Sequence, residues 1–247
     1  MRGHMGGLFT LVIKGPLYNA LVAIVDVVPG GDVGVAIVLL TVAIKLILLP
    51  LSVSAIKSQI AMREIDPELK RLKVEFKDKP EELGRRTMAL FKEKKVNPLA
   101  TIAVLFVQIP IVLGLYRVFL FEGHGGTFDP SLLYSFISVP QHASFVFLGL
   151  IALTGKSMVL AVIVAVSQFL YARVLTPPAP GEKGSFQGDL ARSMHVQMRY
   201  VFPVVMGFIA YVVPAAVGLY FVVSNIFALG QELAVKRLRH APVTAQS

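Results

Sequence analysis

The sequence predicts an all-α integral membrane protein: five transmembrane helices, an N-terminal interfacial helix on the outer face, and a cytoplasmic helical hairpin. Of its 247 residues, 55% are hydrophobic and only 16% are charged. The apolar residues come in blocks of about 20, the length that crosses a hydrocarbon core, rather than as stripes on amphipathic helices. Charge gathers between those blocks. Residues 52–97 hold twelve Lys and Arg against eight Asp and Glu, whereas residues 122–155 hold no Lys or Arg. A net charge of +9 would suggest nucleic acid in a soluble protein, but membrane topology accounts for it here. Cysteine is absent, which excludes disulfides, thiolate metal sites and thiol nucleophiles.

The opening Met1-Arg2-Gly3-His4-Met5 resembles a cloning remnant and is set aside from the fold. Residues 8–28 are long enough to span, but Lys14, Gly15-Pro16, Asn19 and Asp26 interrupt the block, so the expectation is a helix lying on the bilayer. A span there is the alternative, and it would place the N-terminus inside. Pro29-Gly30-Gly31-Asp32 then turns the chain, with Asp32 as N-cap of the next helix.

The five expected spans are Val33–Leu51, Leu99–Phe121, Ser157–Leu175, Val196–Val213 and Ala215–Val235. Between the first two, residues 52–97 read as a hairpin broken at Asp78-Lys79-Pro80, with Pro67 setting the start of, or a kink in, its first arm. The positive-inside rule places this hairpin in the cytoplasm. It places the polar loop 176–193 and the C-terminal Lys236, Arg237 and Arg239 there as well. An N-out, C-in protein of a bacterial-type inner membrane follows, with 33–240 as its core. Residues 122–155 face outward, carrying two apolar stretches, Leu132–Val139 and Phe145–Leu153, too short to span.

Within the first span stands Lys45. A lysine at a helix centre costs about 2.5–3.5 kcal/mol on insertion scales, which marks an intramembrane cation as a candidate functional group. Snorkelling is the alternative, because Lys45 lies six residues from Leu51. Thr41 and Ser52, at i−4 and i+7, share its face of a continuous helix and make it part of a polar stripe. Gln108, Tyr116, Gln168, Gln197, Tyr220, Ser224 and Asn225 add uncharged polar groups to the other spans. Singly these are interhelical hydrogen-bonding groups; together with Lys45 they can line a wet cavity. No H-E-x-x-H or G-x-S-x-G pattern occurs, and no carboxylate is read deep within a span, so neither a catalytic centre nor a cofactor is expected.

In chain order, several motifs resemble the YidC family of membrane protein insertases, in the oxidase-assembly/Alb-type superfamily. They are Gly15-Pro16-Leu17-Tyr18, the Gly34–Leu51 helix with its basic residue, Asn97-Pro98-Leu99, Gln108-Ile109-Pro110 and Phe202-Pro203-Val204-Val205-Met206. Pro214, Gly218-Leu219-Tyr220-Phe221 and Ser224-Asn225 complete the set. The resemblance implies a chaperone-like insertase, not an enzyme. Its hydrophilic groove, in the inner leaflet, would be lined by Lys45, Thr41, Ser52, Gln108, Tyr116, Gln168, Gln197, Tyr220, Ser224 and Asn225. Implied partners are nascent membrane proteins and the lipid bilayer, with the ribosome, signal-recognition machinery and Sec translocon as further ones. Lys45 stands where the family usually carries arginine, keeping the charge and losing the fork of donors. The glycine after Pro214 also comes later than in the family's pattern. Neither a large extracytoplasmic domain before the first span nor a long basic tail is read, so attachments to partners are expected to be reduced. A small-solute or ion transporter is the rival reading, weakened by the lack of internal repeats. A structural assembly protein is a second, and it would have no use for Lys45.

Overall fold

A computed structural model describes residues 9–119, 127–175 and 192–240. The expected remnant at 1–5, most of the loop at 176–193 and the start of the outer segment at 122–126 lie outside the described residues. The described residues include the helices α1 Gly15–Val27, α2 Val33–Ile47, α3 Leu49–Glu64, α4 Asp66–Glu75, α5 Pro80–Glu93, α6 Pro98–Arg117, α7 Met158–Leu175, α8 Phe202–Val212 and α9 Ala215–His240. These residues fall into two units, one within Met1–Leu46 and Pro110–Leu233, the other within Ile47–Ile109 and Ala234–Ser247.

In the first unit, α1 buries Tyr18, Leu21, Val22 and Val25, spaced i, i+3, i+4, i+7 so that one helical face is apolar and covered. That face joins Val33, Ala36, Ile37 and Leu40 of α2 and Ala215, Ala216 and Tyr220 of α9 in one core. Asp32 caps α2 as expected: its Oδ1 accepts from the N–H groups of Gly34 (2.7 Å) and Val35 (3.1 Å). Gly31, at φ +62°, abuts the carbonyl of His142 so closely that a side chain has no room.

Tyr18 and Asn19 tie α1 to residues 129–134. The Tyr18 hydroxyl accepts from the N–H of Asp129 at 2.6 Å. The Asn19 amide donates to the carbonyls of Gly15 and Leu132, both at 2.9 Å, and its oxygen accepts from the N–H of Tyr134 at 2.7 Å. Farther along, the stretch 145–153 is a two-stranded antiparallel hairpin rather than a featureless apolar run. Strand β1 is Val146–Phe147 and strand β2 is Ile151–Ala152. Asp32 also holds this hairpin, Oδ2 accepting from the N–H of Leu148 at 2.7 Å. Helices α7 and α8 pack side by side where Gly207 faces Ala161 and Ala165.

Several expected spans end elsewhere. The Val33–Leu51 run breaks at Leu48 because Pro50, in the first turn of α3, has no N–H and its ring clashes with a carbonyl one turn back. Helix α6 holds Pro110 inside it, and its apolar part is the short Phe106–Arg117. The Val196–Val213 block is divided by a π-helical turn, Gln197–Val201. By length and composition, three helices among the described residues can cross a membrane: Thr10–Val27, Met158–Leu175 and Ala215–Arg237. A fourth is added if α2 and α3 form one broken span. The N-terminal block expected at the interface therefore has the length of a span.

The second unit holds the charged helices. Pro67 starts α4, Pro80 starts α5, and the break between them falls at the expected Asp78-Lys79. Ala61, Ile65, Leu90 and Val96 form a small core with Leu69, Leu72 and Phe91 around it. Lys95, at φ +54°, ends α5 in a Schellman motif, the Val96 N–H donating to the Phe91 carbonyl at 2.8 Å. Glu82 pairs with Arg85 at 3.2 Å and Arg86 at 3.1 Å, which lowers its pKa through hydrogen bonds and charge.

Candidate functional site

Lys45 lies half-buried in the last turn of α2. The break at Leu48 changes its energetics, since a cation beside a helix C-terminus meets the negative end of the dipole and carbonyls without an in-helix donor. Thr41, one turn earlier, is buried, and its hydroxyl donates to the Ile37 carbonyl at 2.6 Å. Ser52 belongs to α3, where its hydroxyl donates to the carbonyls of Leu48 and Leu49, both at 3.1 Å. With Leu48 between two helices, the i+7 spacing no longer gives Ser52 the face of Lys45. Of the expected stripe, Thr41 and Lys45 lie one turn apart on α2 and Ser52 on α3.

Helices α7 and α9 bring a second group together. The Asn225 amide donates to the Ser167 hydroxyl at 3.1 Å, and that hydroxyl donates to the Val164 carbonyl at 3.0 Å. Gln168, Ser224 and Asn225 are all buried. Among the described residues the Ser224 hydroxyl has no hydrogen-bond partner, leaving a donor and acceptor open inside the unit. Tyr220, one turn before Ser224, is buried within the apolar core, its ring 5.7 Å from that of Phe221.

Two contributors were absent from the sequence reading, Ser167 and Glu232. Glu232 lies three residues from the end of the expected Ala215–Val235 span and is only 2% exposed, a carboxylate buried within the protein. Tyr171 of α7 is within its electrostatic reach. The signal was available: Glu232 follows Asn225 by seven residues, hence on the same helical face. A buried ionisable group in a membrane helix is costly and marks a functional candidate.

The remaining candidates are scattered. Tyr116 is half-buried against the apolar core of the first unit. Gln108 is half-buried in the second unit. Gln197 sits exposed on the π-helical turn. Among the described residues no group of three His, Cys, Asp or Glu is arranged to hold a metal ion. Chemically, the groups that α7 and α9 bring together are neutral hydrogen-bond donors and acceptors, with the carboxylate of Glu232 buried on α9 and the cation of Lys45 on α2.

Comparison with known proteins gives one family. The family described as 60Kd inner membrane protein matches residues 24–242. A membrane protein insertase YidC of Clostridium tetani is 30% identical over 211 residues, covering 85% of this chain and 84% of that protein. One of Clostridium perfringens is 28% identical over 225 residues, covering 91% and 86%. The chain also matches a membrane protein insertase YidC of Dechloromonas aromatica at 32% identity over 230 residues, but spans only 36% of that longer protein.

Proposed function

Because the chain belongs to the 60Kd inner membrane protein family, in which its relatives bear the name membrane protein insertase YidC, we propose that it inserts nascent membrane proteins. It carries short hydrophilic segments through a groove in the inner leaflet and releases apolar helices sideways into lipid. The observation that carries this reading is a set of polar groups buried in a chain otherwise suited to lipid: Thr41, Gln168, Ser224 and Asn225, with Lys45 on the same unit.

A hydrophilic segment crossing hydrocarbon leaves each peptide group unsatisfied at several kcal/mol. Donors and acceptors inside the protein shorten that crossing. Lys45 attracts acidic residues of the substrate's outer segment, while Ser224, with its open hydroxyl, and Gln168 exchange hydrogen bonds with the passing backbone. Ser52, Gln108, Tyr116, Gln197 and Tyr220 complete the proposed lining. No covalent bond is made or broken. Helices α4 and α5 form the cytoplasmic hairpin, which receives substrate from the ribosome, the signal-recognition machinery or the Sec translocon. Residues 8–28 lie on the outer face, the N-terminus is out and the C-terminus in.

One observation favours the transporter alternative: the buried Glu232, the kind of group a proton or cation relay uses. Both readings are separated by one experiment. A single-span substrate with an acidic outer segment is offered to vesicles holding wild type, Lys45→Ala, Lys45→Arg or Glu232→Gln. The insertase reading expects loss in Lys45→Ala and retention in Lys45→Arg; equal insertion by all four, as by empty vesicles, would overturn it.

A further inference from the structure

The three-residue loop Leu148-Gly149-Leu150, at the tip of the β1–β2 hairpin, presents two leucines outward, Leu148 62% and Leu150 84% exposed. A hairpin tip facing water ordinarily carries Asn, Asp, Gly or Ser, the residues whose side chains suit turn geometry and solvent. This one does not. Leu148 even occupies the left-handed region, at φ +50°, a conformation that disfavours a leucine. It is held there because its N–H donates to Asp32 Oδ2 at 2.7 Å, the same carboxylate that caps α2. The fold thus fixes an exposed apolar side chain in an unfavourable backbone conformation.

Two further observations say what covers it. From residue 130 to residue 155 there is no Asp, Glu, Lys or Arg, so no charged side chain in this stretch resists leaving water. Eight residues beyond Leu150 the chain enters α7, whose Met158, Val159, Val162 and Val166 are exposed along a face that, in a family of inner membrane proteins, meets lipid. Between hairpin and helix stands Lys156, its ammonium 5.8 Å from the centre of the Tyr211 ring. A lysine beside a tyrosine at a helix end marks the level of the lipid headgroups. The hairpin therefore joins the lipid-facing surface at headgroup depth.

We infer that the Leu148–Leu150 tip is a lipid anchor, inserted among the acyl chains of the outer leaflet, with Asp32 locking its angle to α2. This anchor is separate from the proposed substrate groove and is independent of whether the chain inserts substrates.

The chain has no cysteine, so a single nitroxide can be placed on Leu150→Cys in the full chain reconstituted in lipid vesicles. Its collisions with oxygen and with a water-soluble nickel chelate are compared, calibrated with nitroxide lipids of known depth; Val159→Cys serves as the buried reference. The expected result is a label below the phosphate level, favouring oxygen as Val159→Cys does. A label that favours the nickel chelate, as a free aqueous nitroxide does, overturns the inference and leaves the tip to a protein partner. As a second variant, Asp32→Asn retains the cap oxygen, loses the charge and tests the lock, with a shallower Leu150→Cys depth expected; an unchanged depth would remove Asp32 from the anchor.

Discussion

Asn225 and Ser167, 58 residues apart in sequence, meet side chain to side chain at 3.1 Å and join α9 to α7. Interhelical hydrogen bonds in membranes contribute about 0.6 kcal/mol on average and about 1.7 kcal/mol at most. Asn225→Ala and Ser167→Ala are each expected to lower stability within that range. The double variant should lose less than their sum, and a double-mutant cycle in detergent unfolding measures the difference. A fully additive pair would mean the bond contributes nothing.

Gly207 permits the close approach of α8 to α7. A methyl group there would sit 2.9 Å from Ala165 Cβ and 3.2 Å from the Ala161 carbonyl oxygen. Overpacking of this kind costs about 1–3 kcal/mol. Gly207→Ala should lower the thermal midpoint, and adding Ala165→Gly should restore much of it. Rescue distinguishes the steric cause from loss of backbone freedom.

Asn19 has all its described partners on the backbone, at Gly15, Leu132 and Tyr134. Asn19→Leu keeps a similar volume but leaves the Tyr134 N–H and the Leu132 carbonyl without this partner, at about 1–3 kcal/mol for each buried group left open. Limited proteolysis should then cut within residues 127–137 at protease levels that leave wild type intact.

Glu82 contributes to the pH dependence of the charged hairpin. Its pKa is lowered from 4.5 by hydrogen bonds from Arg85 and Arg86, reinforced by their charge. Because the folded value lies below the unfolded one, its stabilising contribution is present above the unfolded pKa and is lost as pH falls through the folded one. Helicity of residues 80–93 should therefore decline as acid carries the solution below the ordinary carboxylate range. Glu82→Gln should remove that part of the decline, as read by amide exchange or circular dichroism against pH.

The sequence was informative wherever one residue type controls local geometry. Asp32 announced a cap, and Pro67 and Pro80 announced two helix starts, because each acts within a few residues. Leu48 and Pro50 show the limit: the same proline was read as the end of a long span, although the helix had already stopped three residues before it. Lys95 gave no sign of a helix stop, since glycine is the usual left-handed residue there. The β1–β2 hairpin was hidden because a short apolar run has no periodicity to separate strand from buried helix. Among the site residues, Lys45, Gln168, Ser224 and Asn225 stood out as polar groups in apolar runs. Ser167 needed its partner on another helix to be visible, and Glu232 looked peripheral because it sits near the end of its run.

Tyr18 and Asn19 bond to residues 111 to 115 positions later in the chain. At a synthesis rate of about 5–20 residues per second, roughly 6–22 seconds separate the appearance of these two residues from that of their partners. Throughout that interval α1 has α2 to pack against and Asn19 has its local bond to the Gly15 carbonyl, but the Leu132 and Tyr134 backbone partners of Asn19 are still to be made. These contacts of α1 are thus made only when residues 129–134 have been synthesised, so the order of synthesis leaves the tie between α1 and that segment until late.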